Sequence, residues 1–117
     1  MGNWRLLKLE QIAREWTLQE QLSADGVFED DECEHKDPIQ PVWWNAQWIP
    51  IGSNSSGDFI CLDLNPAPGG NVGQVISYWH TDPDRKVLAN SFRDWLTKFA
   101  DDLESGQYRV EEGWLLR

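Results

Sequence analysis

The stretch "WIPIGSNSSGDFICLDLNPAPGGNVGQVISYWH", residues 48–80, holds three apolar runs separated by two segments of Gly, Pro, Asn and Ser. Runs rich in β-branched and aromatic side chains, bounded by turn formers, read as strands. "QWIPI" is a strand kept short by Pro50, which has no N–H to give to a ladder. "DFICLDL" is a strand with two nearly apolar faces, and "QVISYWH" is a third. The interval "NPAPGGNVG" packs two prolines and three glycines into nine residues and can only connect.

The first interval, "GSNSSGD" (52–58), has a glycine at each end of a four-residue spacer, as phosphate-binding loops do. Such a loop needs a lysine after its second glycine and a helix to follow. Asp58 and Phe59 stand there instead, and a strand follows. The segment therefore reads as a structural turn built on Gly52, Asn54, Gly57 and Asp58, residues that accept or stabilise conformations bulkier ones resist.

Outward from this run, Pro38 to Thr81 contains no Lys or Arg and four of the eight tryptophans, which places the sheet region at 42–81. On its C-terminal side, "SFRDWLTKFADDLESG" spaces Phe92, Trp95, Leu96, Phe99 and Leu103 helically. Ser91 and Asp94 form a capping box, and Gly106 sits where a left-handed C-cap belongs, so a helix is expected over 91–105. "QYRVEEGWLL" beyond it suggests a short strand or an extended tail. On the N-terminal side, "NWRLL" can open as a short strand. Leu9, Ile12, Ala13 and Trp16 then make the stripe of an amphipathic helix ending near Asp25-Gly26. Between that helix and the sheet, residues 25–41 carry seven acids against Lys36 alone and read as an exposed loop. Clustered strands with helices at the ends make the class α+β: a small antiparallel or mixed sheet with an N-terminal helix and a long C-terminal helix packed around it.

With 117 residues the chain forms one domain, 1–117, able to bury roughly 65% of its unfolded surface. Ten Lys and Arg against twenty Asp and Glu give a formal net charge of -10, which disfavours nucleic acid and favours a basic protein partner. Aromatic residues without cations do not suit single-stranded nucleic acid either. No apolar run reaches the roughly 20 residues of a membrane helix, and no signal-peptide pattern opens the chain, so the expectation is a cytoplasmic protein. Cys33 and Cys61 lie 28 positions apart without metal-ligand spacing. No disulfide, metal or other cofactor is expected, and Cys61 alternates with apolar neighbours as a core residue does.

Two groups of residues could carry function. Asp58, Asp63 and His80 could serve a small hydrolase if the fold brought them into one pocket around a metal or water. Asp63, near a strand end, reads equally as a turn aspartate, and His80 as a partly buried hydrogen-bonder. The second group is the acidic loop, with Glu29, Asp30, Asp31, Glu32 and Glu34 as contact candidates. Trp43 and Trp44 join them, one of the two facing outward because neighbours in an extended segment point to opposite sides. Trp79 and Trp95 occupy patterned positions and are expected in the core or lining its rim.

The run from "PVWWNAQWIPIGSNSSGDFICLDL" through "GQVISYWHTDPD" to "LANSFRDWLTKFADDLE", with "RLLKLEQIAREW" before it, resembles the SUKH superfamily, the Smi/Knr-type domain of fungal cell-wall-assembly regulators and many bacterial proteins. The resemblance implies an α+β fold and no enzyme activity. It also implies a protein-binding role: in bacterial members an immunity protein that neutralises a toxin, often a nuclease, in others an intracellular scaffold or regulatory interaction protein. Members usually begin with about two further helices before the segment matched by "RLLKLEQI". Their loss would uncover several hundred Å² of apolar surface, so a homo-oligomer is expected.

Overall fold

A computed structural model describes residues 4–34, 36–54, 56–104, 109–111 and 114–116. Among them, β1 (Arg5–Leu6), β2 (Trp48–Ser53), β3 (Phe59–Asp63), β4 (Gln74–Tyr78) and β5 (Val87–Ala89) form one sheet in the order β1-β2-β3-β4-β5, with every pairing antiparallel. Helix α1 is Leu9–Ala24 and α2 is Phe92–Glu104; β6 (Arg109–Glu111) and β7 (Trp114–Leu116) pair antiparallel beyond α2. The fold is α+β, as the pattern of runs predicts. The Gly106 C-cap lies outside the described residues.

The register explains the two apolar faces of β3. Phe59, Cys61 and Asp63 stand opposite Tyr78, Ile76 and Gln74 of β4, and all six point to one side. On that side Ile39, Trp44, Trp48, Phe59, Cys61, Ile76 and Tyr78 form the core, with Trp16 of α1, Phe28, Trp43 and Val87 packed against it. Trp44 meets Trp48 and Tyr78 edge to face at 6.1 and 5.7 Å, the arrangement that aromatic quadrupoles favour. The acidic loop is thus no free excursion: Phe28 and Ile39 pin it to the core. The opposite side of the sheet is covered by α2, which lies over β4 and β5.

Three local expectations shift. Gly52 belongs to β2, opposite Ile60 and beside a register irregularity, rather than to the turn; its φ is not positive, whereas that of Gly57 is +93°. Leu9 is 85% exposed, and the buried side of α1 runs instead through Trp16 to Gln19. A polar residue serves there because its Oε1 accepts from the Tyr78 hydroxyl at 3.2 Å, while Trp16 Nε1 donates to the Ala46 carbonyl at 2.7 Å. Third, β5 adds a strand inside a segment that carries no strand signal: its ladder with β4 satisfies an edge of backbone groups that would otherwise face water or α2.

Candidate protein-interaction site

The acidic loop is built outward from its anchors. Gly26, at φ +78°, ends α1, and Glu29 N–H donates to the Gly26 carbonyl, so the chain turns back under α1 and drops Phe28 against the core. At the far end, Gln74 Nε2 donates both to the Pro38 carbonyl (3.0 Å) and to Oδ2 of the fully buried Asp63 (2.9 Å). Asp63 Oδ1 accepts from Asn65 N–H at 2.9 Å. A buried carboxyl group is tolerated only when its oxygens are met by partners; this one ties the loop's end to the sheet. Gly70 completes the junction, since a Cβ there would stand 2.9 Å from the Pro38 carbonyl oxygen and 2.8 Å from Pro66.

Between these anchors Glu29, Asp30, Asp31, Glu32 and Glu34 are exposed, and none makes an ion pair among the described residues. Glu29, Asp31, Phe28, Trp43 and Trp44 line one open concavity of about 520 Å³. Four residues of the second sequence-predicted group therefore meet, acids and indoles together. Trp44 reaches it only by an edge, being 8% exposed and otherwise part of the core. The expectation that one of the adjacent pair faces outward fits Trp43 alone, which is half-buried.

Trp43 is held by a residue the sequence reading passed over. Arg85, in the turn "DPDRK", is buried, and its guanidinium lies 4.1 Å from the Tyr78 ring centroid and 4.7 Å from that of Trp43. Nη1 donates to the carbonyls of Trp79, Asp82 and Asp84, and Nη2 to that of Trp43 at 3.1 Å. Burial disfavours its charge, and the Tyr78 side chain and Asp82 work against that. The same burial pushes the Tyr78 hydroxyl up to about 12, opposed by Arg85. Nothing local in the sequence marks it, since it stands between Asp84 and Lys86 and its aromatic partners come from other segments.

Of Asp58, Asp63 and His80, two come together. Asp58 Oδ1 accepts from His80 N–H at 2.9 Å and sits 2.7 Å from His80 Nδ1, while Oδ2 accepts from Asn54 Nδ2 at 2.9 Å. Asn54 Oδ1 in turn accepts from Ser56 N–H at 2.9 Å. The pair locks the β2–β3 turn to the end of β4. Asp63 lies at the opposite end of β3, among Gln74 and Asn65. Among the described residues, no group of three or more His, Cys, Asp or Glu is placed to hold a metal ion, and no helix is long and apolar enough to cross a membrane.

A family model, SMI1 / KNR4 family (SUKH-1), matches residues 1–98. The chain is 40% identical over 76 residues to the "KNR4/SMI1 homolog" of Kluyveromyces lactis, covering 64% of this chain and 14% of that protein. It is 34% identical over 70 residues to the "Cell wall assembly regulator SMI1" of Saccharomyces cerevisiae, covering 60% and 14%. With the "Glucan synthesis regulatory protein" of Neurospora crassa it shares 34% over 74 residues, covering 63% and 14%. The chain thus spans about a seventh of the length of these curated relatives, two of which are named as regulators.

Proposed function

Because the chain belongs to the SMI1 / KNR4 family (SUKH-1), we propose that it is a non-catalytic protein-binding module of the regulatory kind, and that its acidic loop receives a basic protein partner. One observation carries the reading: Glu29 and Asp31 share a concavity with Phe28, Trp43 and Trp44. A Lys or Arg side chain of the partner entering it would meet carboxylates at the rim and aromatic carbon inside, the combination that suits a cation with an apolar stem. Because Phe28 and Ile39 already fix the loop to the core, less ordering entropy is lost on binding.

A second reading is favoured by the formal net charge of -10. A nuclease-type toxin must present cations to its substrate, and an acidic protein could cover that same surface while gaining on-rate from steering. Here the module would neutralise the toxin rather than regulate an endogenous partner.

The test starts from the partner captured by the wild-type chain in its native host, with association rates then measured over a range of ionic strengths. Glu29→Lys, Asp30→Lys and Asp31→Lys together are expected to slow association at least about tenfold at low salt and to flatten the salt dependence. An unchanged salt slope would remove the loop from the mechanism. Stoichiometric loss of nuclease activity in the captured partner would select the second reading, and a partner without such activity the first.

A further inference from the structure

The other side of the sheet carries a groove of opposite character. It has a volume of about 440 Å³, within the range of ligand pockets, and runs between α2 and the sheet. Its floor is Gly52, Ile60 and Ser77; one wall is the Trp4–Trp79 pair, edge to face at 5.7 Å, and the other is Trp95 stacked on Phe99 at 5.4 Å. Trp79 is here 36% exposed, and Leu6 and Leu88 along the same groove are each 44% exposed. The reason is the register: Tyr78 takes the core side of β4, so Trp79 turns to the side where α2 covers only β4 and β5.

The charge at this groove is reversed. Among the described residues Arg5, Lys86 and Lys98 line it against Asp102 alone. Lys98 pairs with Asp102 at 3.3 Å but stays 72% exposed, a pair of little strength. Lys86 makes no ion pair among the described residues.

We propose that this groove binds a partner protein through a short segment whose large apolar side chains enter between the two aromatic walls and whose carboxylates meet Lys86 and Lys98. The exposed Leu6, Trp79 and Leu88 favour a protein segment over a small amphiphile, which would leave part of that surface wet. A second copy of this chain is a poorer occupant, because its acidic loop keeps its one aromatic residue, Phe28, packed on its own core. The proposal rests on the reading of the domain as a protein-binding module, but it concerns the opposite face and acidic rather than basic ligands. The domain would then hold two unlike segments, one on each side of its sheet.

The test uses the full chain and synthetic peptides carrying paired Trp, Phe or Leu at varied spacings among Asp and Glu, with matched peptides bearing Lys in place of every acid. Fluorescence anisotropy is expected to show binding of at least one acidic peptide, about tenfold or more weaker for its Lys counterpart. That binding should fall by at least about tenfold in Lys86→Glu/Lys98→Glu. Both side chains are solvent-facing, so the variant is expected to fold. Glu29→Lys/Asp31→Lys, on the other face, should leave the binding unchanged, which separates this proposal from the basic-partner reading. Absence of binding by every acidic peptide, equal binding of the two charge versions, or indifference to the Lys86/Lys98 reversal would each overturn it. So would saturable binding of dodecanoate without any peptide binding, or a dimer by light scattering that the same reversal dissolves.

Discussion

Asp58 shows how much of this fold hangs on single side chains. Burial pushes its carboxyl up, but the His80 N–H, the Asn54 amide and the His80 ring outweigh burial and hold it below its ordinary range. A carboxyl lowered in the folded state contributes stability that is fully present above its unfolded value and is lost as pH falls through the folded one. Asp58→Asn should therefore be less stable than wild type by about 1–3 kcal/mol at neutral pH. In urea titrations the gap should shrink on acidification below about pH 4; a gap independent of pH would show that charge plays no part. The sequence marks Asn54, Gly57 and Asp58 as turn residues because their chemistry is local. It could not name His80 as the partner, since that contact spans 22 positions and exists only once β3 and β4 pair.

At the level of elements, α2 was the most legible. Ser91 Oγ accepts from Asp94 N–H at 3.0 Å, and Phe92, Trp95 and Phe99 stack along one side. Ser91→Ala should cost about 1 kcal/mol, read as a lower urea midpoint with an unchanged slope; no shift would mean the helix start is held by other contacts. Helix α1 was legible in extent but not in its buried side, because Gln19 faces inward on the strength of one hydroxyl 59 positions away. Strand β5 was missed for a related reason: three residues next to two cations carry no period of their own and become a strand only because β4 offers an unpaired edge. The tryptophans show the same limit: adjacency says that one of Trp43 and Trp44 is buried but not that it is Trp44, and only the fold puts Trp79 in the groove.

Over the whole molecule, ten surplus negative charges sit on 117 residues, yet they are not evenly spread. The acidic loop is on the side of the core and the cation-lined groove on the side of α2. Self-repulsion of the acids should make the fold more stable as salt screens it. Raising ionic strength from about 0.01 M to about 0.15 M, which shortens the Debye length from ~30 to ~8 Å, should raise the melting temperature in calorimetry. A lower melting temperature would mean that attractive pairs outweigh the repulsion. By itself the sequence determined the α+β class, the three central strands, both helices, the excess of acid and the family, because each is written in local periodicity, composition or an ordered set of motifs. Only the tertiary structure decided which tryptophans are buried, that Arg85 clamps Trp43, that Asp58 and His80 meet while Asp63 stands apart, and that the sheet has an acidic side and a cationic groove. Those depend on register and on what packs across each face, and such distances are fixed by the whole fold rather than by neighbours along the chain.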